Sequence, residues 1–214
     1  MGQSDTVDRI LDAAEELFAE RGFSETSLRM ITGRAKVNLA AVNYHFGSKN
    51  ALIQAVFARF LTPFCLSLEA AFDRLEDEAG GGHPSLEALL KAMTETAVEM
   101  PSKHDRSIAI YMRLQGLAYT QSQAHLRKFL EQEYSRTFTR FMRLLKEATP
   151  QLSAVERYWR IQFMLGATAF TMSSSEALTD ILRNKLGVET PINDIVAQLV
   201  PFLASGMQAP SSDD

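Results

Sequence analysis

The feature that most constrains this chain is a spacing of apolar residues by three and four that recurs along nearly its whole length, with alternating, strand-like runs essentially absent. Val7, Ile10, Leu11, Ala14, Leu17 and Phe18 trace it first, with acids between them, and Gly22 supplies a natural stop. The pattern predicts helices over 5–21, from a cap at Thr26 or Ser27 to Ala35, and from a cap at Asn38 to about Phe46. A long helix follows from Ser48 to about Glu78, which Pro63 either kinks or splits. Further helices are expected over 85–99, 105–119, 122–148, 153–184 and 191–206, between breaks at residues 78–84, Pro101, Pro150, Gly187 and Pro191. The expected fold class is therefore all-α, with no internal repeat and a disordered tail over 209–214.

A chain of 214 residues, 46% hydrophobic, can bury a sizeable core without disulfides. Its single cysteine, Cys65, lies in an apolar run, where a thiol packs rather than reacts. The N-terminus lacks a basic segment followed by an apolar stretch, and no run is read as long enough to span a bilayer, so a cytoplasmic protein with no membrane partner is expected. An enzyme is disfavoured. His45, His83, His104 and His125 are scattered, no metal-ligand spacing or Gly-x-Ser-x-Gly elbow occurs, and EAGGGHP lacks the ending of a phosphate loop. No metal and no cofactor are expected.

The net charge of −4 hides a local excess. Between residues 21 and 59, Arg21, Arg29, Arg34, Lys36, Lys49 and Arg59 oppose only Glu25, a local +5 that leaves −9 for the rest. The same region carries two short helices joined by a tight turn, the layout of a helix-turn-helix, with Leu28, Ile31, Ala35, Val37, Val42 and Phe46 as the apolar side. Leu39, Ala40 and Asn43 then stand at the start of the second helix, the end that enters a major groove. Asparagine can pair with adenine, and leucine or alanine can cover a thymine methyl. Thr26, Ser27, Arg29, Lys36, Tyr44, His45 and Lys49 are the candidates for phosphate contact, through side chains or the amides that open each helix. Packing beneath the following helix is an equal use for His45.

The stretch from TVDRILDAAEELFAERGFSETSLRMITGRA through KVNLAAVNYHFGSKNAL resembles the N-terminal domain of TetR-type transcriptional regulators over about residues 6–52. The wording, with RLQGLAYTQSQAHLRKFLE, RIQFMLGATAFTMS and VPFLASGM, is also similar to the PsrA-like, fatty-acid-responsive subgroup. The resemblance implies a homodimer on double-stranded operator DNA, with a DNA-binding domain at 1–48 and a helical effector-binding and dimerisation domain at 49–208. It implies repression relieved by a small molecule. Two positions depart from the family pattern: Lys36 stands where glycine is usual in the turn, and Asn43 where tyrosine is frequent.

Phe- and Met-rich helices in the second part can be plain core or can line an adaptable apolar tunnel. With the resemblance, a long-chain fatty acid or acyl-CoA becomes the expected effector, and Phe60, Phe64, Met112, Arg113, Phe163 and Phe170 the candidate ligand contacts. Arg113 is either a carboxylate anchor or a solvated helix edge. A different apolar effector, controlling efflux or other genes, is the alternative. By analogy with the family, the helices over 153–183 and 191–206 are the expected dimer seam, with Gly166 and Ala169 allowing close approach and Leu199 and Phe202 on an apolar stripe. Intramolecular packing is the other use for the same faces.

Overall fold

A computed structural model describes residues 3–100, 107–121 and 123–210 of the protein. In chain order the helices are α1 (Gln3–Glu25), α2 (Leu28–Ala35), α3 (Leu39–Phe46), α4 (Lys49–Glu78), α5 (Leu86–Val98), α6 (Ser107–Thr120), α7 (Ala124–Ala148), α8 (Ala154–Ser173), α9 (Ser175–Leu186) and α10 (Ile192–Gln208). No strand occurs among the described residues, and the all-α expectation is met. The predicted break at Pro101, His104, the first residues expected in the helices from 105 and 122, and residues 211–214 lie outside the described residues.

Three of the first four helix starts follow one rule: a short side chain in extended backbone accepts an otherwise orphaned amide. Ser27 accepts from the Met30 amide, Asn38 from Ala41 and Ser48 from Ala51, at 3.2, 2.8 and 3.1 Å. The cap of α2 is thus Ser27. Thr26 is used differently, its fully buried hydroxyl donating to the Leu17 and Gly22 carbonyls at 3.0 and 2.8 Å.

At Gly22 the predicted stop is a break inside α1 rather than its end. The glycine leaves helical geometry at φ 82° and ψ 169°, and the chain resumes for one more turn. That conformation turns Phe23 into the core beside Phe18 and Phe57, with ring centroids 5.4 and 6.3 Å apart. It also releases the Phe23 amide from the helical ladder. Gln121, 98 residues on, supplies the acceptor through Oε1 at 3.0 Å.

α4 runs unbroken through Pro63, so the expected split does not occur. By length and composition this helix is apolar enough to cross a membrane, which corrects the expectation that no run reaches that length. Its apolar side chains are used within the chain: Leu52, Ile53, Val56, Phe57, Leu61, Phe64, Leu68 and Phe72 are buried, and α4 packs on α1, α5 and α7. Arg140 on α7 ties the far end down through Glu69 and Asp73, each at 2.7 Å, and Glu76, with its guanidinium over the Phe72 ring. Arg59 binds the near end to α1 through Asp12 and Glu15 at 2.6 and 3.1 Å.

The helix expected over 153–184 is two, because three consecutive serines compete with its backbone. Ser173 and Ser175 donate to the Phe170 and Met172 carbonyls, and the chain turns at Ser174. Arg160 on α8 donates to the Gly206, Met207, Ala209 and Pro210 carbonyls, capping α10. The first two residues of the expected disordered tail are therefore held.

Gly22→Ala should cost about 1–3 kcal/mol, because this backbone region is essentially reserved for glycine and the added methyl would meet Gln121 Nε2 at 2.6 Å. Urea unfolding of the two proteins reads this directly; an unchanged midpoint at constant slope would show that the break is not required.

Candidate nucleic-acid interface and effector cavity

Val42 of α3 is fully buried with Ile31 of α2, which leaves the opposite side of α3 facing out. Leu39, Ala40, Asn43 and Tyr44 share that side at helical spacing, all exposed, Tyr44 most of all at 76%. His45 is half-buried, with its ring edge-on to Tyr44 at 5.0 Å and 6.3 Å from Phe46, so it is packed on one side and accessible on the other. Arg29 and Lys36 are exposed and Lys49 half-buried at the margins of this edge. The Ser27 hydroxyl oxygen serves its cap while its proton stays available as a donor.

Thr26 is a correction. Its side chain is enclosed and doubly hydrogen-bonded, so it cannot reach a phosphate. The local charge is corrected as well: Arg34 is paired with Glu16 and Glu20 at 2.7 and 3.5 Å, and Arg59 with α1 acids. Of the six basic residues, Arg21 on α1 and Arg29, Lys36 and Lys49 around the helix-turn-helix remain outside these pairs. Lys36 adopts the left-handed conformation that its place in the turn demands, at φ 54° and ψ 47°, with its amide donating to the Gly33 and Thr32 carbonyls.

Among α4, α5, α6, α7 and α8 lies a cavity of ≈ 340 Å³. Its wall is mainly apolar, with Phe57, Met93, Leu130, Phe138, Ile161 and Met164 as representative members. Apart from Tyr111, its polar members, Gln115, Tyr119, Gln123 and Arg127, lie on the later turns of α6 and at the start of α7. None of the six predicted ligand contacts lines it. Phe60 and Phe64 stand a ring behind the wall, Phe60 stacking on the wall residue Tyr111 at 4.0 Å. Met112 packs half-buried against the core and Arg113 points to solvent, so the solvated reading of Arg113 holds. Phe163 and Phe170 are 67% and 64% exposed on the outer side of α8.

Those two rings belong to another surface. Val155, Trp159, Phe163, Gly166 and Phe170 repeat every three or four residues along α8, all exposed, with Trp159 stacked on Phe163. Ala169 flanks this stripe half-buried, and Phe202 of α10 is 67% exposed. Leu199 is a correction: it is buried at 8% exposure with Leu203 and cannot face a second chain. Sequence reasoning missed Trp159, although its place one helical turn before Phe163 marks it. It also missed Gln123 and Arg127, which no local signal marks: Gln123 precedes α7, and Arg127 is one of many charged residues along that helix.

Cys65 is buried, and burial pushes its thiol up to about 11, which leaves it protonated and inert at neutral pH. Among the described residues no three His, Cys, Asp or Glu side chains converge as metal ligands.

Lys36→Gly relieves the left-handed strain and should raise stability by about 1 kcal/mol or less, since glycine returns part of the gain as chain entropy. Denaturant midpoints test this; a loss of stability would mean that the lysine stem contributes more packing than its backbone costs.

Two family models match the chain: "Bacterial regulatory proteins, tetR family" over residues 10–56, and "Tetracyclin repressor-like, C-terminal domain" over residues 91–206. The HTH-type transcriptional regulator Mb3439c of Mycobacterium bovis is 43% identical over 77 residues, covering 35% of this chain and 41% of that protein. SrpR of Pseudomonas putida, also an HTH-type transcriptional regulator, is 36% identical over 110 residues, covering 51% and 48%. The matches thus span under half the length of these two relatives. A TetR-like transcriptional regulator from Rhodococcus sp. RHA1 superposes with a TM-score of 0.61 at 21% identity, covering 96% of this chain and 97% of that one. The fatty acid degradation regulator FadR from Bacillus halodurans does so with a TM-score of 0.56 at 18% identity, covering 95% of each. The second family model alone spans more than half of the residues, and the helix-turn-helix edge described above falls inside the first: the chain belongs to the TetR family of DNA-binding transcriptional regulators.

Proposed function

We propose that this regulator is a cytoplasmic homodimeric repressor, that residues 1–48 hold the operator, and that an apolar effector in the α4–α8 cavity releases it. Leu39, Ala40 and Asn43 face the bases. Ser27, Arg29, Lys36, Tyr44, His45 and Lys49 hold the phosphates. The observation that carries the effector reading is the Gln121 hydrogen bond to the Phe23 amide, which ties the polar end of the cavity to the helix immediately before α2. A second tie runs beside it, from Gln54 Nε2 on α4 to the His125 carbonyl at 3.3 Å. A molecule that spreads α6 from α7 strains both bonds and turns α1–α3 relative to the rest. The effector needs only to prefer the displaced arrangement, and tenfold preference is worth about 1.4 kcal/mol.

For the effector we favour a long-chain fatty acid or acyl-CoA, and genes of fatty-acid metabolism as targets. Support comes from the apolar wall, from the PsrA-like wording and from the likeness in fold to FadR. Arg127, at the cavity and exposed, takes the place that Arg113 does not fill. A different apolar effector, with efflux or other genes as targets, uses the same cavity.

For the dimer, the exposed α8 stripe is the seam, with Trp159 and Phe163 as its anchors. Both helix-turn-helix edges then face one palindrome about a DNA turn apart, or somewhat more.

The DNA immediately upstream of the gene serves as probe in a gel-shift with oleate, oleoyl-CoA and a short-chain acid. Long-chain ligands should release the probe, and operator should weaken their binding by the same factor. Lys49→Ala should lower affinity for all sequences and reduce the salt slope by about 0.9, one phosphate's worth. Retained DNA at saturating long-chain ligand would remove the acyl effector; an unchanged slope would remove Lys49 from the interface.

Trp159→Glu with Phe163→Glu should give a folded monomer in sedimentation, because the charges fall on a surface already exposed within one chain. Leu199→Glu should instead unfold the protein by placing a charge in the core. A persistent dimer in the first variant would put the seam elsewhere.

A further inference from the structure

The cavity meets α7 at both of its ends. Leu126, Arg127 and Leu130 line it near the start of the helix, and Phe138, Phe141 and Met142 near the finish. Leu126 and Met142 are sixteen positions apart, about 24 Å along the helix at a rise of 1.5 Å per residue. A volume of ≈ 340 Å³ spread over that length has a mean cross-section of about 14 Å². The space is therefore a tube on the scale of one hydrocarbon chain.

Its ends differ in chemistry. Apart from the Tyr111 hydroxyl, the polar side chains stand on the later turns of α6 and the start of α7, where Tyr119 is 67% exposed and Arg127 faces solvent. The other end is walled by Phe138, Phe141 and Met142 together with Ile161, Met164 and Leu165 of α8, none with a nitrogen or oxygen in its side chain. Arg157, one turn before Ile161, donates to the Thr149 and Leu152 carbonyls just past α7, which holds this part of α8 at that end.

We infer that the effector is a single hydrocarbon chain with one polar head, laid along α7 with its head at Tyr119 and Arg127 and its tip among Phe138, Met142 and Ile161, and that the tube selects it by chain length. The inference rests on the cavity being the effector site.

Width excludes a compact ligand. A fused-ring molecule of the same volume would have to displace packed side chains on opposite walls at once. Length sets the gain, because each methylene that enters leaves water for an apolar wall, worth about fourfold in affinity. The gain continues until the tip reaches Met142, 41% exposed, beyond which added carbons stay in water. Desolvation sets the direction. A polar head at the Phe138 end would lose its water with no side-chain donor or acceptor in return, whereas at Tyr119 it keeps water and meets the polar part of the wall.

The test uses the full-length protein, a series of saturated fatty acids from octanoate to hexadecanoate, each below its aggregation limit, and two photoreactive hexadecanoates. One carries a diazirine beside the carboxyl and the other at the chain tip. Affinity in calorimetric titration should rise about fourfold per methylene, and cholate, an acid of fused rings, should not displace hexadecanoate. The tip probe should label peptides carrying Phe138, Met142 or Ile161, and the other probe peptides carrying Tyr119 or Arg127. In Ile161→Phe the larger ring stands in the far half of the tube. Hexadecanoate should then lose about tenfold, the worth of the two or so methylenes displaced, while octanoate, which stops short, stays within about twofold. The labelling needs no variant, and octanoate binding reports that the variant is folded. Affinity independent of length, displacement by cholate, the two labels at one end or exchanged, equal loss for both acids in Ile161→Phe, or no saturable binding by any chain would each overturn the inference and leave the cavity as effector site. Labels from both probes away from the cavity wall would remove the effector-cavity reading, and this inference with it.

Discussion

The fold of this regulator turns on one backbone amide. Gly22 takes a conformation that a side chain would forbid, the α1 ladder is interrupted, and the Phe23 N–H must find an acceptor or remain an unsatisfied buried group. Gln121 supplies it from the end of α6. The same break seats Phe23 against Phe57, whose ring meets Tyr111 at 5.8 Å, so an unbroken series of aromatic contacts runs from α1 through α4 to the cavity wall. A packed series of rings transmits displacement because neither end can relax without moving the other. The cavity wall and the helix that leads into α2 are therefore in mechanical contact.

The distribution of charge carries a second dependence. A chain of net charge −4 presents an outward basic edge at the helix-turn-helix because many of its acids are spent in ion pairs elsewhere. Asp12 and Glu15 take Arg59, Glu16 and Glu20 take Arg34, and Glu69, Asp73 and Glu76 take Arg140. Hydrogen bonds from Arg140 and Arg143 hold the Glu76 carboxyl below its usual range. The stability this provides is present above the ordinary carboxylate range and is lost as pH falls through the depressed value, so acid should loosen the α4–α7 brace. Arg29, Lys36 and Lys49 remain turned outward around α3. Pairing leaves fewer basic residues for DNA than the linear count suggests, and it concentrates them on one edge.

What could be read in the sequence divides along physical lines. Helix existence, caps at Ser27, Asn38 and Ser48, and the outward set Leu39, Ala40, Asn43 and Tyr44 follow from local rules, because one helical turn fixes which side chains share a face. The left-handed Lys36 follows instead from the family resemblance, which puts glycine at that place in the turn. Thr26 failed as a phosphate contact because its partners, Leu17 and Gly22, are fixed by the packing of α2 on α1, which spacing alone does not encode. Phe163, Phe170 and Leu199 failed together: periodicity tells that a residue lies on an apolar face, not whether that face meets the core, a cavity or another chain. α8 has apolar residues on two sides, Ile161, Met164 and Leu165 at the cavity and Trp159, Phe163 and Phe170 outside. Sequence reasoning merged the two.

An apolar cavity is itself an argument about function, because unfilled space forfeits dispersion contacts that a closed core would make. The fold keeps that space open across five helices, directly beside the close stacking of Phe60 on Tyr111. A ligand that fills the cavity restores those contacts and stabilises whichever arrangement holds it best, by about 2.7 kcal/mol at a hundredfold excess over its dissociation constant. Occupancy breaks the Gln121 tie only as far as the ligand binds the untied arrangement more tightly than the tied one, because equal affinity for both shifts nothing. Under the proposed function, the sign of the response follows from that difference: the protein without ligand holds α1–α3 in the tied position, and a ligand that prefers the untied one releases it.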